Sequence, residues 1–286
     1  MAADPPGDPA AGAVDAALAE WRQGDCVLGE HWFVARHDVT HPLSSAAKAA
    51  AAEGAELGET QVPGLVVVSQ TCDIVRSCDE RPYVEVCPLV EVDDAVLGEV
   101  ARARRPALAY VPAFHAQRLV ADLDRIMTLE KPVVAKWTRI AGHTSDAEAR
   151  AFAHALSRKR VRFAFPDDFT LFARKLQARL SDKHDKNTDE GWGLRALREI
   201  RVQASPQWDA DSVELFFWFV RNDDQADFEG KSWATLLAAW LELVPQSGRF
   251  SSVEGQVASL EEMTGADYVG SDPLDLDSLS LKRAPR

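Results

Sequence analysis

The sequence predicts an α+β protein, with a small N-terminal β unit closing as a barrel and a larger domain of mixed helices and strands. Three observations predict this. Short β-branched runs between polar turns occupy the first ninety residues, helical spacing of apolar residues dominates 146–180, and an apolar strand returns at 214–220. A chain of 286 residues buries roughly three quarters of its extended surface, so a core needs no disulfide or metal. With 46% hydrophobic and 27% charged residues, the composition excludes collagen-like, mucin-like and wholly disordered chains. The expected division is a flexible tail over 1–18, a barrel-like domain over 19–100, an α+β domain over 101–280 and a second tail over 281–286.

Gly24-Asp25 opens a strand over Cys26 to Phe33, and the small, mildly acidic stretch 44–60 reads as a surface insertion or short helix. Leu65-Val66-Val67-Val68 is β-branched enough for a buried strand, which ends at Ser69 to Val75. The loop RSCDERP leads to a further strand from Tyr83, expected to close at Pro88. Residues 112–126 carry a broken helical periodicity, and 133–140 read as a strand around Trp137. Ser145 and Glu148 form a capping-box pattern ahead of a helix over 146–158. Phe169, Phe172, Leu176 and Leu180 mark an amphipathic helix, followed by a polar connector over 183–191. Leu197 to Gln203 is a strand, ELFFWFV is a central strand needing cover on both faces, and a helix runs from Trp233 towards Pro245.

Charge is unevenly distributed around a total of −13. Residues 1–100 hold 5 basic and 18 acidic side chains, residues 101–200 hold 20 and 12, and residues 201–286 hold 7 and 15. An acidic total disfavours indiscriminate coating of nucleic acid, yet the middle third is positive. Arg158, Lys159, Arg160, Arg162, Lys183 and Lys186 are the candidates for gripping phosphate oxygens, against the alternative of a solvated face neutralising the acidic flanks. RNA or DNA is the expected partner, with nuclease activity as an extension and a protein partner as the rival. No run approaches eighteen apolar residues and the start has no basic head, so no membrane partner and a cytoplasmic location are expected.

The order Gly24-Asp25, then Val66 to Gln70, then Val86-Cys87-Pro88-Leu89 resembles the SH3-like β-barrel of the PemK/MazF-type toxin ribonucleases. The likeness covers residues 21–92. It implies a barrel fold and RNA as substrate. The family's pre-strand arginine has no counterpart at Val62-Pro63-Gly64, and Val90 stands where a hydroxyl often follows the apolar-Pro step. Ser69 and Thr71 are the remaining polar matches.

Ser69, Thr71, Cys72 and Asp73, with His184 assisting, are the candidate catalytic residues. A strand end exposes a thiol, and a neighbouring base would raise its thiolate fraction, which defines the alternative of a cysteine-dependent hydrolase centred on Cys72. The competing reading is a buried cysteine beside a turn that Asp73 caps. No cofactor is expected. Zinc is an alternative, because Cys26, Cys72, Cys78 and Cys87 lie in the same stretch as His31, His37 and His41, although no tight Cys pair is present. Asp122, Asp124, Glu130 and Lys131 suggest metal-dependent cleavage, but their spacing lacks a Glu-x-Lys signature.

Overall fold

The computed structural model describes residues 9–103, 105–161, 163–222 and 232–274. The chain divides into two compact units, Met1–Val161 and Arg162–Arg286. The first unit extends past residue 100 because the strand beginning at Tyr83 pairs with segments beyond that point.

In the first unit, helix α1 (Pro9–Leu18) precedes strand β1 (Cys26–Arg36), helix α2 (Ser45–Ala52) and strand β2 (Leu57–Val67). Helix α3 (Thr71–Ile74), strand β3 (Tyr83–Glu91), helix α4 (Asp94–Ala101) and strand β4 (Leu108–Tyr110) follow. A 3-10 turn (Pro112–Gln117), strands β5 (Leu119–Asp122) and β6 (Met127–Glu130), and helices α5 (Lys131–Val134) and α6 (Asp146–Arg160) complete it. The expected N-terminal tail is therefore helical from Pro9, and Leu18 is wholly buried.

The sheet order is β1-β2-β3-β5-β4, with β6 also pairing β3. Among the described residues β1 and β4 are its ends and do not pair, so no barrel closes and the SH3-like expectation is overturned. The geometric reason lies in β3. Its residues 83–86 pair with β6 and 89–91 with β5, and three extra residues on the β5–β6 side bend that segment along one partner. β3 also runs through Pro88, opposite Leu65 of β2, to Glu91.

Alternation along the central strands sorts two cores. Cys26, Val66, Val68, Cys87 and Leu89 pack with Phe152 and Leu156 of α6. Val27, Leu65, Val67, Val84 and Val86 pack on the other side with Leu18, Trp21, Ile74 and Val134. Side chains leave a strand on alternate faces, so the apolar run 65–68 feeds both. Residues 112–126 turn out as a 3-10 turn and a strand rather than a helix, and 133–140 begin inside α5 rather than a strand. Four-residue segments are too short to display a period, and Pro132 in the first turn of α5 suits a helix start.

The second unit contains helices α7 (Asp167–Lys183) and α8 (Asp189–Ala196), strands β7 (Leu197–Ser205) and β8 (Val213–Arg221), and helix α9 (Trp233–Leu241). Strand β9 (Phe250–Ala258), helix α10 (Gly265–Val269) and strand β10 (Asp272–Pro273) follow. Its sheet order is β10-β7-β8-β9, with β8 and β9 parallel. The ELFFWFV strand is internal, as its two-faced apolarity requires, and Phe217, Phe219 and Trp240 lie in one buried cluster. Asp168 holds Arg249 through two hydrogen bonds of 2.5 and 3.0 Å, and the guanidinium pulls its carboxyl below the ordinary range. No helix of the described residues is long and apolar enough to cross a membrane.

Candidate functional site

The β2–β3 ladder runs over Leu65–Val67 and Val86–Pro88, followed by one more backbone bond from the Val68 N–H to the Glu85 carbonyl at 2.9 Å. Past that ladder β2 turns away into α3, and the Ser69 hydroxyl substitutes for a strand partner by accepting the Glu85 N–H at 2.7 Å. The divergence leaves a cleft of about 620 Å³, walled by α6 and floored by the segment 68–73. Its third side is the stretch from Glu80 to Glu85. Ligand sites of this size are ordinary for a small molecule or one to two units of a polymer.

α6 reaches the cleft because Ser145 caps it, accepting the Glu148 N–H at 3.2 Å. The reciprocal half of the expected capping box moves by one residue, since the Glu148 carboxylate accepts from the Thr144 N–H at 2.7 Å. That bond is the main force holding the Glu148 carboxyl below its usual range. Phe152 and Leu156 bury against the sheet, and Ala153, Ser157 and Arg160 line the cleft.

Of the residues expected to carry chemistry, Ser69 and Asp73 line the cleft. The Thr71 hydroxyl is occupied, accepting the Gln23 N–H at 3.1 Å. Cys72 is exposed on α3, and its thiol lies 3.6 Å from the Gln70 side-chain oxygen. His184 belongs to the second unit and hydrogen-bonds Asp185 at 3.1 Å. The hydroxyls thus serve the backbone.

The cationic candidates are dispersed. Arg160 lines the cleft and pairs with Glu85 at 2.6 Å. Arg158 donates to the Ala103 carbonyl and Lys159 pairs with Asp124. Lys183 and Lys186 both approach Asp182, at 3.0 and 3.9 Å. Arg162 lies outside the described residues. Much of the middle segment's charge is therefore matched internally.

The cysteines are likewise separated. Cys26 and Cys87 flank Val66 in one row across β1, β2 and β3, and burial pushes both thiols far above their ordinary range. Cys78 is half-buried beside Asp15, whose carboxylate accepts its backbone N–H at 2.8 Å. Among the described residues no group of three or more His, Cys, Asp and Glu side chains could hold a metal ion. Asp122 pairs with Arg125 at 2.7 Å, while Lys131 is buried and donates to the Arg76 carbonyl at 2.5 Å.

Two cleft residues have no role in the sequence reading. Arg81 is exposed, and its guanidinium has no partner among the described residues. Tyr83, the first residue of β3, is 57% exposed, with neither a ring contact nor a hydroxyl partner among them. The signal available in sequence was Arg81-Pro82-Tyr83: a proline biases the residue before it to extended backbone, directly ahead of the strand that begins at Tyr83.

No protein-family model, no curated protein and no solved structure matches the chain. With the open sheet, this removes the basis for the toxin-ribonuclease resemblance over residues 21–92.

Proposed function

We propose that the first unit recognises a phosphate-bearing ligand, RNA or DNA, in the cleft between α6 and β3. The observation that carries this reading is Arg81, a guanidinium at the cleft with no partner among the described residues. Arginine presents a planar fork of donors that matches phosphate oxygens. Arg160 stands opposite on α6 and exchanges its surface pair with Glu85 at little cost, since exposed pairs contribute about 0–1 kcal/mol. Gln23, Gln70, Ser69 and Ser157 supply polar groups around the two cations. The reading is one of binding, with the Ser69 and Thr71 hydroxyls each accepting a backbone N–H that shapes the cleft's floor. Four free thiols support a reducing, cytoplasmic setting.

A salt-resolved titration with short single- and double-stranded RNA and DNA tests it. Affinity falls as salt rises, because phosphate neutralisation releases counterions, and Arg81→Ala lowers the salt slope by about 1. Absence of binding at low salt would refute the reading. The same gel reports whether strands are cut.

A further inference from the structure

We infer that the cleft takes a single-stranded segment, with one base stacked on Tyr83 and the adjoining phosphate on Arg81; this rests on the reading above. Tyr83 and Glu85 share a face of β3 with Cys87 and Leu89, which pack with Phe152 and Leu156 of α6. The face passes from core to cleft at Glu85, and Tyr83 stands at its open end. A tyrosine ring usually buries 150–250 Å², roughly, and finds a partner for its hydroxyl; this one is 57% exposed and engages neither end among the described residues.

Its neighbour completes the pattern. Arg81 closes the turn before β3, its backbone N–H donating to the Ser77 carbonyl at 2.9 Å, and it lines the same cleft as Tyr83 two residues on. A guanidinium and a bare aromatic ring two residues apart on one cleft suit a phosphate and its base. Sequence-tolerant binding of single strands uses this combination of cation and stacking platform. A duplex keeps its bases stacked inside and presents none to the ring.

The carboxylates define the limits of the ligand. Asp73, Glu80 and Glu85 line the same cleft, so a long run of phosphates meets repulsion. Their oxygens accept from exocyclic amino groups, which cytosine, adenine and guanine carry and uracil and thymine lack. The ligand class is therefore a short single-stranded stretch with an amino-bearing base at the Tyr83 position.

The test uses the full chain and three labelled probes of equal length: a cytidine oligonucleotide, its duplex with a complementary strand, and a strand made abasic at every position. The expected order is single strand tighter than duplex and tighter than abasic strand. Tyr83→Ala weakens the single strand by about 5- to 150-fold, equivalent to 1–3 kcal/mol per stacked base, and leaves the abasic strand unchanged. Tyr83→Phe retains the wild-type affinity. Because Tyr83 is exposed, equal thermal melts of the three proteins verify that folding is unaltered. Equal affinity for normal and abasic strands, or indifference to Tyr83→Ala, overturns the stacking inference while phosphate recognition stands. Preference for the duplex also overturns it. No binding by any probe removes both. RNA and DNA versions of the strand distinguish the two sources of the same chemistry.

Discussion

Lys131 fastens the cleft's outer rim at two points. Its backbone N–H donates to the Pro82 carbonyl at 2.9 Å, and its ammonium donates to the Arg76 carbonyl at 2.5 Å. The side chain is wholly buried, and that burial pulls its pKa below the ordinary lysine value, against the pull of Asp15, Cys78 and Asp73. Removing the ammonium leaves a loop carbonyl without its donor, a change worth about 1–3 kcal/mol. Lys131→Met, which keeps the apolar stem, is therefore expected to lower the unfolding free energy by that amount in a denaturant titration. It also weakens cleft binding, since Arg81 sits between the two fastened points. At the same scale, Ser69 and Asp73 were expected as catalytic residues and are found lining the cleft, because a polar pentapeptide that ends a buried strand leaves the sheet at the strand's end. Arg81 and Tyr83 were not singled out, because their significance depends on having no side-chain partner among the described residues, which the tripeptide Arg81-Pro82-Tyr83 does not record.

Helix α6 forms one wall, and its position depends on its first turn. The Ser145 hydroxyl satisfies an otherwise orphan N–H, and Asp146 and Glu148 place negative charge at the positive end of the helix. Ser145→Ala is expected to destabilise the first unit by about 1 kcal/mol, read from the denaturation midpoint at unchanged slope. Elements with strong local signals were readable: the cap and spacing of α6, the apolar repeat of α7, and the two-faced strand β8. The open sheet was not, because whether a sheet closes depends on which edge strands meet, and short strands such as β4 and β5 carry no record of their neighbours. Pro88 misled for a related reason. A proline blocks one donor, but Pro88 falls in the gap where β3 passes from its ladder with β6, over 83–86, to its ladder with β5, over 89–91.

On the scale of the whole molecule, each unit has its own core, the first built on both faces of one sheet and the second around Phe169, Phe217 and Trp240. A unit with its own core is expected to fold alone. Residues 1–161 expressed without the rest should show one cooperative melt and keep the wild-type affinity for single strands, because every cleft residue lies within them. Loss of affinity in a folded fragment would assign binding to the second unit, where Lys183 and Lys186 lie. The uneven charge along the chain predicted a basic surface, yet the ion pairs of Lys159 and Arg160 with acidic partners on the first unit show charge spent locally. Net charge by sequence window averages over such pairing.

The row formed by Cys26, Val66 and Cys87 gives the first unit a built-in clock. Cys72 stands in solvent, Cys78 is half covered, and Cys26 and Cys87 have no exposed surface at all. An alkylating reagent added to the native protein will consume these thiols in sequence. The innermost pair reacts only in molecules whose sheet has parted from α6. Mass spectrometry of the adducts would therefore time the opening of the cleft's own foundation, with no foreign label and no engineered residue.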